Sequence, residues 1–192
     1  MYKLDKQEKI IIKEIIKDPR ISDNQIAIKT NVPLKTVNRK RKILEEKNLI
    51  NYYCFLDSSK DGTGTFNAKS LYIISLKDGI TRHQVIEKTL KSDRSLKFFP
   101  KHIISSEIGE FNGNVALIIT IESLKIDDLV EIFNAEIVSE LEMLFGKGCI
   151  KNTTTIPIAT SLRVLRNYLP KKNIEKGKIK ESWPDDHIYA EE

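Results

Sequence analysis

The first fifty residues carry three short runs of helical periodicity. In DKQEKIIIKEIIKD (5–18), Ile11, Ile12, Ile15 and Ile16 recur at three-to-four spacing, which predicts an amphipathic helix. Asp5 and Glu8 suit its N-terminal end and Lys17 its C-terminal end, and Pro19 stops it. Ser22, with Gln25 three residues on, has the form of a capping box and starts a second helix, which Asn31-Val32-Pro33 cuts short. A third helix runs over about 34–47, with Asn48 suited to end it in the left-handed conformation. Residues 49–56 are apolar and aromatic enough for a strand.

Beyond DSSKDGTGTFNAK (57–69), a turn-rich linker, the periodicity changes. Strand (71–76), helix (81–90), two strands (97–108 and 115–121), long helix (124–145) and a strand from Cys149 follow in turn. The order β-α-β-β-α-β is that of the ferredoxin-like split βαβ arrangement. The long helix places Ile126, Leu129, Phe133, Ile137, Leu141 and Leu144 on one face. Its other side carries Asp127, Asp128, Glu131, Glu136, Glu140 and Glu142. Val115, Leu117, Ile119 and Ile121 alternate, and most residues between them are apolar too. One helix layer cannot cover both sets, so residues 70–160 are expected to pair with a second copy. After Pro170, charge dominates with little apolar content, and the tail is expected to lack a core and be disordered. The chain therefore reads as an α+β protein: a domain of three helices and a strand over 1–56, a linker over 57–69, a ferredoxin-like domain over 70–169 and a charged tail over 170–192.

Composition excludes several classes. No apolar run reaches the ~18 residues of a membrane span, and MYKLDKQEKI lacks the features of a signal peptide, so a cytoplasmic protein without a membrane partner is expected. Cys54 and Cys149 are too few for a disulfide framework or zinc site, and His83, His102 and His187 have no ligand spacing. No metal or cofactor is implied. No Ser/His/Asp or Cys/His set and no glycine-rich phosphate loop points to an enzyme. The net charge of +5 is uneven: residues 1–50 hold 13 Lys+Arg against 7 Asp+Glu, a net of +6, and the remainder sums to −1. Positive charge gathered on one small segment is the footprint of polyanion binding.

That charge peaks in the third helix, where Lys35, Arg39, Lys40, Arg41 and Lys42 fall within eight residues. Ala27, Asn31 and Val37 have helix-turn-helix spacing: a small residue for close approach, a residue tolerant of positive φ, and an apolar residue to bury the next helix. With Val37 inward, Lys35, Asn38, Arg39 and Lys42 share one outward stripe at i, i+3, i+4 and i+7. Arg39 and Asn38 suit bidentate readout of guanine and adenine, and Lys35 and Lys42 suit phosphate. Thr36 and Ser22 complete the expected contact set to double-stranded DNA. Lys40 or Arg41 occupies a position where an apolar residue is expected, so one of their stems must run along the core.

The sequence resembles the Lrp/AsnC, or feast/famine, transcription regulators. The likeness runs through LDKQEKIIIKEIIKDPRISDNQIAIKTN and RKILEEKNLI, with Leu4-Asp5, Arg20-Ile21-Ser22, Ile26-Ala27, Leu44-Glu45-Glu46 and Ile50. It implies a winged helix-turn-helix joined to a βαββαβ sensor (RAM) domain, a homodimer or larger homo-oligomer, and a small-molecule effector. A second point of likeness is Gly109-Glu110-Phe111-Asn112, where relatives carry Gly-x-Tyr-Asp beside the effector pocket. The resemblance thus implies effector contacts at Gly109, Phe111 and Asn112. Pro33 replaces the usual serine at the start of the recognition helix, and the tail falls outside the family pattern. Two other readings share the architecture: an enzyme like the sirohaem decarboxylases, and a hetero-oligomerising effector sensor without operator specificity.

Overall fold

The computed structural model describes residues 2–53, 68–92, 101–169 and 172–190. The chain divides into two units, one of residues 1–56 with 161–192 and the other of residues 57–160.

In the first unit, α1 (Lys6–Lys17) starts at a capping box in which Asp5 and Glu8 satisfy each other's backbone amides. Ser22 and Gln25 do the same for α2 (Asp23–Thr30). Asn31 takes the left-handed conformation at φ 54° and turns the chain into α3 (Leu34–Glu46). The core of this unit is Ile11, Ile15, Ile21, Ile26, Val32 and Val37, with Ala27 and Ile50 packed on it. Asn48, also left-handed, ends α3, and the amides of Leu49 and Ile50 return to the Leu44 carbonyl. That return keeps 49–53 out of the expected strand. Residues 54–56 of that expectation, like most of the linker, lie outside the described residues.

The second unit carries β1 (Ala68–Leu76), α4 (Arg82–Lys91), β2 (Ile103–Phe111), β3 (Asn114–Ser123), α5 (Ile126–Glu131), α6 (Ser139–Phe145) and β4 (Ile150–Pro157). The sheet order is β2-β3-β1-β4, every pair antiparallel, the ferredoxin-like topology. α5 runs into α6 through a π-helical segment, Ile132–Val138, so the single helix expected over 124–145 is locally underwound. One sheet face packs Tyr72, Ile74, Leu117, Ile119 and Ile121 against Val85, Leu129, Ile137 and Leu141. Glu140, expected on the acidic outer side, is instead buried at 1% exposure and accepts a hydrogen bond from Ser92. The widened turn of the π segment precedes it, and there the regular 3.6-residue register no longer applies. On the opposite sheet face, Leu71 lies between Thr120 and Ile156, and Ile73 between Ile118 and Thr154. None of these joins the core cluster.

The tail corrects the expectation of disorder. Residues 161–169 and 172–190 fold in the first unit, with a hairpin of β5 (Ile174–Glu175) and β6 (Lys178–Ile179). Ile179, Ile188 and Ala190 are buried, and two asparagines tie the segment together. Asn173, fully buried, donates to the Asn167 carbonyl and accepts from the Leu169 amide. Asn167 in turn pairs with both backbone groups of Tyr189. The Tyr168 hydroxyl donates to the Ile16 carbonyl at 2.8 Å, Lys178 pairs with Asp18, and Lys17 pairs with Asp185 at 2.7 Å. The composition of the tail does not show this, because α1 supplies the surface it packs on. Among the described residues, no helix is long and apolar enough to cross a membrane.

Candidate nucleic-acid interface

The five cations of α3 divide into two groups. Lys40 is buried at 6% exposure, its stem drawn inward where the apolar residue was expected, and its ammonium pairs with Asp5 and, at 3.7 Å, Glu8. The hydrogen bond from Lys40 and that from the Glu8 amide hold the Asp5 carboxyl below its usual pKa. Arg41 is fixed by four acceptors: the Ile21 carbonyl at 2.8 Å, Asp23 at 3.0 Å, and Glu45 and the Tyr52 hydroxyl at 3.1 Å. Partial burial opposes its charge, but the bonds to Asp23, Tyr52 and Glu45 raise its pKa above the usual arginine value. These two cations hold the domain together.

Lys35, Asn38, Arg39 and Lys42 are all exposed, on the side of α3 away from Val37. Among the described residues, neither Lys35 nor Arg39 is ion-paired, and Lys42 makes only a solvent-exposed contact of 3.8 Å with Glu46. Asn38 donates to Asp23 at 3.0 Å, so adenine readout requires release of that bond. Thr36 is half-buried beside the stripe. Ser22 is exposed, but its hydroxyl is engaged with the Gln25 amide and side chain. An open cleft between the starts of α2 and α3 is lined by Ser22, Asp23, Asn24, Leu34, Lys35 and Asn38. Two helix N-termini meet there, both favourable to phosphate. Asp23, which holds Asn38 and Arg41 together, does not stand out in the sequence. Its first-turn position beside Ser22 suggests only a dipole role.

In the second unit, Phe111 and Asn114 close a hairpin whose two-residue turn is Asn112-Gly113, with φ of 50° and 76°. Positive φ at both positions is the type I′ turn, for which Asn-Gly is the preferred pair. The turn by itself is sufficient reason for Asn112-Gly113. Gly109 is not in the left-handed region. It lies opposite Ala116 in the strand pairing, and a Cβ there would meet Ile118 at 3.2 Å. The structure places Gly109, Phe111 and Asn112 on one hairpin.

Residues 4–51 match the winged helix-turn-helix DNA-binding family. Over the longer chain, E. coli AsnC superposes with a TM-score of 0.60 at 15% identity, covering 85% of this chain and 97% of that one. The fold is that of the Lrp/AsnC regulators. B. subtilis LrpC shares the AsnC-type fold at a TM-score of 0.58 and 16% identity, over 85% of this chain and 100% of that one. So does a transcriptional regulator from Neisseria meningitidis solved with L-Met, at 0.59 and 12%, over 96% and 98%. No curated protein matches the sequence.

Proposed function

We propose that the protein is a sequence-specific DNA-binding transcription regulator of the Lrp/AsnC type, acting in the cytoplasm as a homodimer or higher homo-oligomer. The observation that supports this reading is the division of charge on α3. Lys40 and Arg41 are consumed inside the domain, while Lys35, Arg39 and Lys42 stand exposed on the face a recognition helix presents to the major groove. Pairing two short reading helices by two-fold symmetry supplies the specificity that one lacks. The apolar face of the sheet at Leu71, Ile73 and Ile118 supports the second unit as the interface. A small-molecule effector bound at the same unit fits the sensor architecture.

The test is duplex binding by alanine variants. Lys35→Ala and Lys42→Ala should weaken binding to all sequences and lower the salt dependence by about one unit of slope for each phosphate no longer neutralised. Arg39→Ala should cost roughly 1–3 kcal/mol on the cognate site and relax the base preference there. Wild-type behaviour of all three on specific and random duplexes would remove α3 as the reading element.

A further inference from the structure

Residues 51–192 sum to almost no charge, and that sum conceals a sharp division. Residues 161–180 hold seven basic residues against the single acidic Glu175, a net of +6, whereas 181–192 hold five acidic residues and no Lys or Arg. Asp185 turns toward α1, pairing with Lys17 and accepting from Lys13 through its carbonyl at 2.9 Å. The basic half faces outward. Lys172, Lys176 and Lys180 are exposed and none is ion-paired among the described residues.

A basic surface alone is usually a solvated face. Two features set this one apart. It is built on a defined hairpin: Lys176-Gly177, at φ 50° and 78°, forms a type I′ turn with Lys176 at its tip. The hairpin is also fastened to the DNA-binding module at a particular place. Lys178 pairs with Asp18, whose carboxylate accepts from the Arg20 amide at 3.0 Å in the short loop that leads into α2. The start of α2 borders the cleft that Lys35 and Asn38 line.

We propose that the β5–β6 hairpin, through Lys172, Lys176 and Lys180, is a second contact to the phosphate backbone of duplex DNA, additional to the helix-turn-helix. The inference rests on the DNA-binding function proposed above. Such contacts position the protein and carry no base information, so they strengthen binding to all sequences alike.

The experiment uses the full chain and a random-sequence duplex several helical turns long, with affinity measured by fluorescence anisotropy over a range of salt. K176A/K180A should lower the slope of log K against log salt by ~0.9 for each phosphate the hairpin releases and weaken binding several-fold at low salt. Trp183, the single tryptophan, packs with Lys172 and His187, and unchanged emission shows that the tail keeps its fold. If emission does change, K176E at the turn tip decides instead. A slope and affinity equal to wild type, while K35A/K42A is impaired, would overturn the hairpin contact and leave the regulator reading intact. Failure of the wild type to bind any duplex would remove both.

Discussion

Lys40 and Arg41 are neighbours in a basic run, yet both are structural, and Lys40 is the more telling case. Its ammonium is enclosed between Asp5 and Glu8, and Glu8 is itself only 4% exposed. Lys40→Ala should therefore cost roughly 3 kcal/mol, because it leaves a buried carboxylate without its cation. Lys40→Met restores the packing of the stem but not the charge, and should recover only about 1 kcal/mol of that. Combined with Glu8→Gln, which keeps the capping box, it should approach wild type. Denaturant unfolding of the three variants checks the order. Asn112 carries a different expectation. It offers a neutral amide where relatives offer a carboxylate, and a carboxylate holds an ammonium by a stronger, charge-assisted bond. Standard amino acids should bind weakly or not at all, and a micromolar dissociation constant for any of the twenty in calorimetry would contradict this.

At the level of elements, the second face of the sheet makes the clearest prediction. Ile73 and Ile118 sit opposite each other on adjacent strands and outside the helix-covered core. Ile73→Lys or Ile118→Lys should shift the protein toward a monomer in light scattering while far-UV circular dichroism holds. A variant with unchanged mass would place the interface elsewhere. The helices of the first unit are legible in the sequence because their caps are local: Asp5 with Glu8, Ser22 with Gln25, and the left-handed Asn31 and Asn48 all act within a few residues. The strand order of the second unit is legible because alternation and turn residues agree. Three things are not. The π-helical segment that buries Glu140 leaves no mark in an otherwise helical pattern. The effector contacts at Gly109, Phe111 and Asn112 come from resemblance, and the residues themselves record only a type I′ turn at Asn112-Gly113. The hairpin of the tail depends on partners more than 150 residues away, which no local pattern contains.

On the scale of the molecule, the docking of the tail is electrostatic enough to be tested by acid. Burial works against ionisation of Asp18, but hydrogen bonds from Lys178 and the Arg20 amide hold its pKa below the ordinary 3.8, as Lys40 does for Asp5. Both carboxyls are depressed in the fold, so their stabilisation is complete above the unfolded value and disappears as pH falls through the lower folded ones. The free energy of unfolding should accordingly show no loss from these two carboxyls down to about pH 4 and a loss below it. Asp18→Asn should remove the part of that loss that Asp18 contributes, at a cost of no more than ~1 kcal/mol at neutral pH, since Lys178 is largely in water. The same docking gives the DNA-binding unit an unusual order of assembly. Its two parts are separated in the chain by the whole of the second unit, and the bond from Tyr168 to Ile16 spans 152 residues. On a ribosome adding ~5–20 residues per second, α1 waits on the order of 10–30 s for the tail that will cover it. Meanwhile Lys13, Lys17 and Asp18 face the crowded exit of the tunnel with their partners in the tail still unmade.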